Sequence, residues 1–414
     1  MSQQFFSERL SNGLVVLGES MPWLESAAFA LLTPAGCMYE PLERLGLANL
    51  TCEMLQRGSG TRNSRQFIED LENLGADTSA SVSTVHMSFG GAVPAVNLFD
   101  TLKIYADVVR RPHFDEEQFD DAQQVCIQEA RSVDDELSQK AMLALRQRHY
   151  GDPLGRASHG TIEGLEEATL DDAKRFFAQR FHPAGAILAV AGKIDWPQVL
   201  AEAERLFGDW AGAATNEIQE SPGERGYHHI PHEAGETHVG IAFHSVPYRD
   251  DDYFLERAAI GVLSDGMSSR LFTEVREKRG LVYTVYASCH SLVDRGAVFA
   301  YAGTTTDKAQ ETLDVTLDEL RRLREGVHDD ELARLKAHLK TSLIMQQESS
   351  RARAGSLAGD WYHLGRIRPL AELQGIVGGL TAERINRYLA AREEPRYSVV
   401  SLGAKPLEVS REIL

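Results

Sequence analysis

Hydrophobic and polar positions along this chain fall into two alternating patterns, and each pattern occurs twice. Residues 64–75, SRQFIEDLENLG, and 269–280, SRLFTEVREKRG, space their apolar side chains as one helical face requires. Each ends in a glycine able to take the left-handed stop conformation. A run suited to a strand follows in both cases: TSASVSTVHMSFGGAV after the first and LVYTVYASCHSL after the second. Laid together without a gap, the helical segments pair Ser64 with Ser269, Arg65 with Arg270, Phe67 with Phe272, Glu69 with Glu274, Glu72 with Glu277 and Gly75 with Gly280.

The ends of the two halves repeat as well. Residues 170–195 and 380–406 each read as an amphipathic helix started by a Thr or Asp cap, then a proline, then an apolar strand ending in Gly-Lys or Gly-Ala-Lys. Long helical regions are expected around 115–150 and 328–365. The stretch 215–233, TNEIQESPGERGYHHIPHE, is polar and broken by Pro and Gly, as a linker would be. These patterns predict an α+β chain, a tandem duplication of two similar α/β domains, each a mostly antiparallel sheet flanked by helices. The boundaries expected are 1–214 for the first domain, 215–233 for the linker and 234–414 for the second.

Composition narrows the class. With 414 residues, 43% hydrophobic and 25% charged, the chain can build two ordinary globular cores. No window approaches the roughly 20 apolar residues of a membrane span, and the start has no basic-then-apolar leader, so a cytoplasmic protein is expected. The formal charge of −18 argues against nucleic acid, because phosphate binding calls for a basic face. Cys37, Cys52, Cys126 and Cys289 are widely spaced, without a C-x-x-C pair, and read as free thiols.

Candidate chemistry begins with GLANLTCEMLQRGSG, residues 46–60. Asn49, Cys52 and Glu53 lie at i, i+3 and i+4, the spacing that places three side chains on one side of a helix. HHIPHE, residues 228–233, gathers three histidines and a glutamate, but Pro231 denies it a helix and a surface cluster is expected. In LSDGMSSR, residues 263–270, Ser268 or Ser269 is expected to cap the helix that follows. Arg276 falls in the last turn of that helix, Gly280 stops it and Tyr283 begins the next strand. Both side chains can therefore reach one wall of a cavity. Together they offer guanidinium and hydroxyl donors suited to a carbonyl oxygen and the oxyanion formed from it. The first-half equivalents, by the gapless alignment, are Leu71 and Thr78.

Three stretches then carry a resemblance. RLSNGLVVLGESMP (9–22), GLANLTCEML (46–55) and SSRLFTEVREKRGLVYTVYAS (268–288) are similar to the pitrilysin/insulysin family of inverzincin peptidases, in its mitochondrial-processing-peptidase-like branch. The likeness runs over nearly the whole chain. It implies a duplicated α/β fold, two such chains closing around a peptide, and one zinc site per working pair. Where that family carries His-x-x-Glu-His this chain has Asn49, Cys52 and Glu53, and the downstream acidic ligand would fall near Glu129. An amide and carboxylates suit zinc poorly. Arg276 and Tyr283 match the family's Arg and Tyr that serve the zinc site from across the cavity.

The resemblance thus implies a zinc-free subunit with no cofactor of its own. Its partner would be a homologous chain that carries His-x-x-Glu-His and the zinc, and its substrate a peptide. A noncatalytic assembly or binding protein of the same fold is the alternative. A hydrolase with Cys52 as nucleophile is a third reading, although no neighbouring His base is written beside it.

Overall fold

The computed structural model describes residues 4–212 and 218–414. They gather into two compact units. One comprises residues up to Ser132, Arg156–Glu220 and Met345–Arg368, and the other Val133–Gly155, Ser221–Ile344 and Pro369–Leu414. The junction expected at 214/215 falls outside the described residues. Neither unit follows a sequence half, because each takes in a helical segment from the other half.

In the first unit six strands form one sheet, in the order Gln4–Arg9, Val15–Ser20, Ile187–Gly192, Ser26–Thr33, Met87–Pro94 and Asp77–Val82. All neighbours run antiparallel except Val15–Ser20 with Ile187–Gly192. Strand alternation sends Val16, Phe29, Leu31, Phe89, Leu188 and Val190 into one core, where they meet the helices Leu47–Leu55 and Leu98–Arg110. The intervening residues Val15, Leu17, Ala28, Ile187, Ala189 and Ala191 face the other way. The helix Ser350–Leu364 covers them through Ala354, Leu357 and Ala358. Alanines on both sides let that helix lie close. A fully buried ion pair pins it, with Arg353 Nε donating to Glu19 Oε2 at 2.7 Å.

The second unit repeats the plan. Its strands lie in the order Val282–Ser291, Gly296–Thr305, Glu236–Ser245, Ser398–Gly403 and Tyr227–Pro231, again antiparallel except for the last pair. Read from the Asp77–Val82 edge, the first sheet has the same five-strand order and the same single parallel pair. The duplication read from the sequence is therefore present in five strands of each sheet, and the first sheet adds Gln4–Arg9 at its far edge. The helix Leu137–Tyr150 lies on the strands Glu236–Ser245 and Ser398–Gly403. Gly240 lies beneath it, where a Cβ would come within 3.0 Å of Leu145. The opposite face packs Val239, Ile241, Val298, Ala300 and Val399 against the helices Tyr253–Ser264 and Ala382–Ala391.

Local signals act as the sequence predicts. Thr169 caps its helix in a reciprocal capping box with Asp172, and Thr381 caps the helix Ala382–Ala391. Ser269 does not cap: its hydroxyl is buried and without a hydrogen-bond partner. Of the stretch read as a linker, 215–217 lies outside the described residues, while Tyr227–Pro231 forms the outer strand of the second sheet. His228 and His229 are consequently half-buried strand residues rather than a surface cluster, and His229 Nδ1 hydrogen-bonds Ser401 Oγ at 2.9 Å. All four cysteines are free.

Candidate functional site

The helix Leu47–Leu55 starts where Gly46 takes φ +107°, a conformation only glycine adopts without strain. The buried Glu40 carboxylate accepts from the amides of Gly46 at 3.1 Å and Ala48 at 2.7 Å, filling donors left open at the helix start. Burial pushes Glu40 up to about 8, against the lowering effect of those two amides. The helix is thus fixed at its first turn by an internal acid.

Asn49, Cys52 and Glu53 follow one another on a regular helix but differ in exposure. Asn49 and Glu53 are half-buried at the rim, whereas Cys52 turns into the core at 4% exposure. Burial, then the neighbouring Glu53, Cys126 and Glu129, push its thiol far above the ordinary range. A thiol so held stays protonated and is no nucleophile, which opposes the Cys52 reading. Asn49 Nδ2 donates to Glu129 Oε2 at 2.8 Å, so the helix Phe119–Asp135 does bring Glu129 to this place. Arg57, one turn on, donates to Glu53 Oε1 at 3.0 Å and 2.8 Å. Every rim group already has a protein partner.

The second unit presents a different arrangement. The segment Phe272–Glu277 is π-helical, with the Lys278 amide reaching back five residues to the Thr273 carbonyl at 2.9 Å. Its first-half counterpart Ser64–Asn73 is an ordinary α-helix. Both stop at a left-handed glycine, Gly75 at φ +64° and Gly280 at φ +59°. After Gly280 the register of the edge strand slips between Val282 and Thr284, so Tyr283 is a bulged residue that the strand pairing leaves out. The two irregularities bring the side chains together: the Arg276 guanidinium lies 5.3 Å from the centre of the Tyr283 ring and 4.8 Å from that of Phe272.

Tyr283 is 83% exposed. Glu274 holds both Lys278 and Arg279, while Arg276 makes no ion pair with any described residue. The connecting turn is tied down from below. Lys308 Nζ donates to the Gly280 carbonyl at 2.9 Å and Thr304 Oγ1 to the Leu281 carbonyl at 2.6 Å, with Thr312 Oγ1 bonded to Thr304 Oγ1 at 3.1 Å. Leu71 and Thr78, at the equivalent places in the first unit, bring no charge: Leu71 is core and Thr78 lies in the edge strand.

Two family descriptions match the chain, "Insulinase (Peptidase family M16)" over residues 15–161 and "Peptidase M16 inactive domain" over 167–339. This chain belongs to the M16 peptidase family. An M16 relative named an uncharacterized zinc protease, from Rickettsia felis, is 27% identical over 387 residues, covering 93% of this chain and 94% of that protein. Another so named, from Bacillus subtilis, is 26% identical over 381 residues, covering 91% and 92%. Among solved structures, a peptidase M16 inactive domain from Pseudomonas fluorescens superposes with a TM-score of 0.87 at 25% identity, over 99% of this chain and 100% of that one. A protease from Helicobacter pylori shares the M16 fold, with a TM-score of 0.87 at 20% identity over 98% and 100%.

The residues present do not fit the zinc that the names of these M16 relatives imply. Asn49 turns its amide N–H toward Glu129, the Arg57 cation sits on Glu53, and Cys52 is a buried neutral thiol. Among the described residues no group of three or more His, Cys, Asp or Glu side chains gathers in a way that could hold a metal ion. Sequence reasoning missed Arg57, although its i+4 position from Glu53 was there to see. It also missed the π-helical segment and the bulge, which no residue pattern announces.

Proposed function

We propose that this M16 chain is the zinc-free subunit of a heteromeric peptidase, and that Arg276 and Tyr283 act in trans on a peptide held at the metal site of a partner. The partner would be a homologous chain carrying His-x-x-Glu-His and the zinc. The reading rests most on Arg276, an arginine without a carboxylate, stacked on an exposed tyrosine by two departures from regular backbone. Surface arginines commonly settle on an acidic neighbour, as Arg279 does on Glu274. Irregular backbone that re-aims a side chain recurs at working sites.

The chemistry follows from the donors. Guanidinium N–H and phenol O–H groups hydrogen-bond a peptide carbonyl oxygen. They hold it more strongly as attack on the carbonyl carbon makes that oxygen anionic, which is the difference that lowers a barrier. The first unit contributes its fold and no chemistry of its own.

The test is reconstitution with an M16 chain that carries His-x-x-Glu-His, measuring peptide hydrolysis on mixing. Hydrolysis that rises on mixing and falls for Arg276→Ala and Tyr283→Phe upholds the reading. Mixed activity indifferent to both substitutions leaves the noncatalytic assembly protein in its place.

A further inference from the structure

The first unit has an open hollow of about 610 Å³ whose lining includes Arg57, Asn63, Arg65, Ile68, Asp115 and Gln118. Arg57 follows the helix Leu47–Leu55, while Arg65 lies in the first turn of the helix Ser64–Asn73. The chain has a formal charge of −18. Against that excess of acid, this hollow brings two guanidinium groups together with a single carboxylate, Asp115. The sign of the charge is thus reversed where a ligand could enter.

Guanidinium groups only donate, so the sense of their hydrogen bonds is fixed by residue type. Arg57 directs Nε and Nη2 to one oxygen, Glu53 Oε1, at 3.0 Å and 2.8 Å, and its Nη1 has no acceptor among the described residues. The Arg57 side chain is only 16% exposed, which holds that group in place. Arg65 directs Nε alone to Glu69 Oε1, at 2.6 Å, and leaves its end-on Nη1/Nη2 fork without an acceptor among the described residues. Asn63 Oδ1 accepts from the Gln66 amide at 2.9 Å, so its Nδ2 is left to donate. Asp115 pairs with neither arginine, and its Oδ1 accepts from the Glu117 amide at 3.1 Å. The helix Ser64–Asn73 has no acidic residue in its first turn, so its positive end is uncompensated at the same place.

Three sets of donors around one hollow call for an acceptor that carries negative charge. A peptide supplies that as a carboxylate, whose two oxygens can take parallel bonds from the end-on fork of an arginine. The exposed side chain of Ile68 offers an apolar wall to the carbon stem that bears it. We infer that this hollow binds a carboxylate of the peptide, an acidic side chain or the free carboxyl terminus, through Arg57, Arg65 and the Asn63 amide. The inference deepens the peptidase reading and rests on it for the peptide. It gives the first unit a part in binding and none in bond breaking.

The experiment uses the whole chain without a partner. Calorimetric titration at low salt would compare three short acetylated peptides of otherwise equal sequence. One has a central glutamate and an amidated end, one has glutamine in its place and an amidated end, and the third is the glutamine peptide with a free carboxyl terminus. A carboxylate-bearing peptide is expected to bind about tenfold tighter than the neutral one. Whichever of the two binds tighter names the source. Arg65→Gln, a change at a side chain 87% exposed, is expected to remove most of the preference. Asp115→Asn keeps an Oδ1 acceptor for the Glu117 amide and removes the one lining charge of the ligand's own sign, so it is expected to widen the preference. A purely structural role would not move the two variants in opposite directions. Equal affinity for all three peptides, a preference unchanged in Arg65→Gln, or one that fails to widen in Asp115→Asn overturns the inference. Arg276→Ala separates the two readings, since it is expected to abolish partner-dependent hydrolysis while leaving the carboxylate preference intact.

Discussion

Asn49 donates its side-chain amide to Glu129 at 2.8 Å, joining with one hydrogen bond two of the positions that the family resemblance would give to a metal. With Arg57 on Glu53, the rim is neutralised from within. Purified protein, free of chelators and histidine tags, is therefore expected to carry close to no zinc by elemental analysis, and its melting temperature should ignore chelator. The combined change Asn49→His, Cys52→Glu and Glu53→His supplies two imidazoles next to Glu129, a set that suits zinc. That variant should rise toward one zinc per chain. Zinc near one per chain in the natural protein, lost on changing Glu53 or Glu129, would contradict the whole reading of this site.

Removing one preorganised oxyanion donor typically lowers kcat by about 10²–10³. Arg276→Ala should show that loss in the reconstituted complex, with KM moving far less. Arg276→Lys should recover only part of it, because an ammonium lacks the planar fork that stacks on Tyr283. Neither change should shift the melting temperature by much, since Arg276 lies outside the core. Lys308→Met is expected to lower the same kcat by loosening the Gly280 carbonyl, with Lys308→Arg restoring it. A melting temperature that falls in step with kcat would make Lys308 a matter of stability alone.

The helix Leu137–Tyr150 is held to the second sheet through two histidines, His149 buried and His290 half-buried. His149 bonds Ser398 at 3.2 Å and Tyr150 bonds His290 Nδ1 at 2.8 Å. Burial first, then the neighbouring cations Arg225 and Arg146 respectively, lower His149 to about 3 and His290 to about 4. Groups depressed in the folded state contribute fully above their unfolded pKa of about 6.5, and that contribution is lost as pH falls toward the folded values. Denaturant midpoints should accordingly drop between pH 6.5 and 4. His290→Gln, which cannot titrate, should flatten part of that slope. An equal slope in the variant would assign the acid sensitivity elsewhere.

Arg353 and Glu19 are 1% and 0% exposed. Removing one partner of a buried pair strands the other charge and typically costs about 3–5 kcal/mol, so Arg353→Ala should be severely destabilising. Replacing both by apolar residues of similar size, Arg353→Met with Glu19→Leu, should restore much of the loss in thermal melts. If the double variant is no better than the single one, desolvated charge is not what ties this helix down.

Much of the fold could be read because the chain states it twice. Matching glycine stops at Gly75 and Gly280, matching caps at Thr169 and Thr381, and apolar strands in equivalent places all concern local backbone, where the residue type is the cause. The pairing of Arg276 with Tyr283 was legible for the same reason, since a helix, a glycine stop and a strand fix the return path. What stayed hidden depends on packing. Cys52 turns inward because the helix is buried on more than one side, and the spacing alone cannot say where its rim lies. The hollow lined by Glu236, His238 and Tyr301 is assembled by the pairing of the strands Glu236–Ser245 and Gly296–Thr305, and a lone histidine in an apolar strand gives no hint that its Nε2 is buried without a hydrogen-bond partner.

The borrowed helices have a consequence for inheritance. Residues 1–214 translated alone would lack Ser350–Leu364 and leave Val15, Leu17, Ala28 and Ile187 open to water, while 215–414 alone would lack Leu137–Tyr150 above Gly240. A stop codon or gene split near the midpoint therefore leaves no viable half behind. With each unit completed by a helix from the other half of the chain, the two halves are expected to be kept, expressed and lost as one.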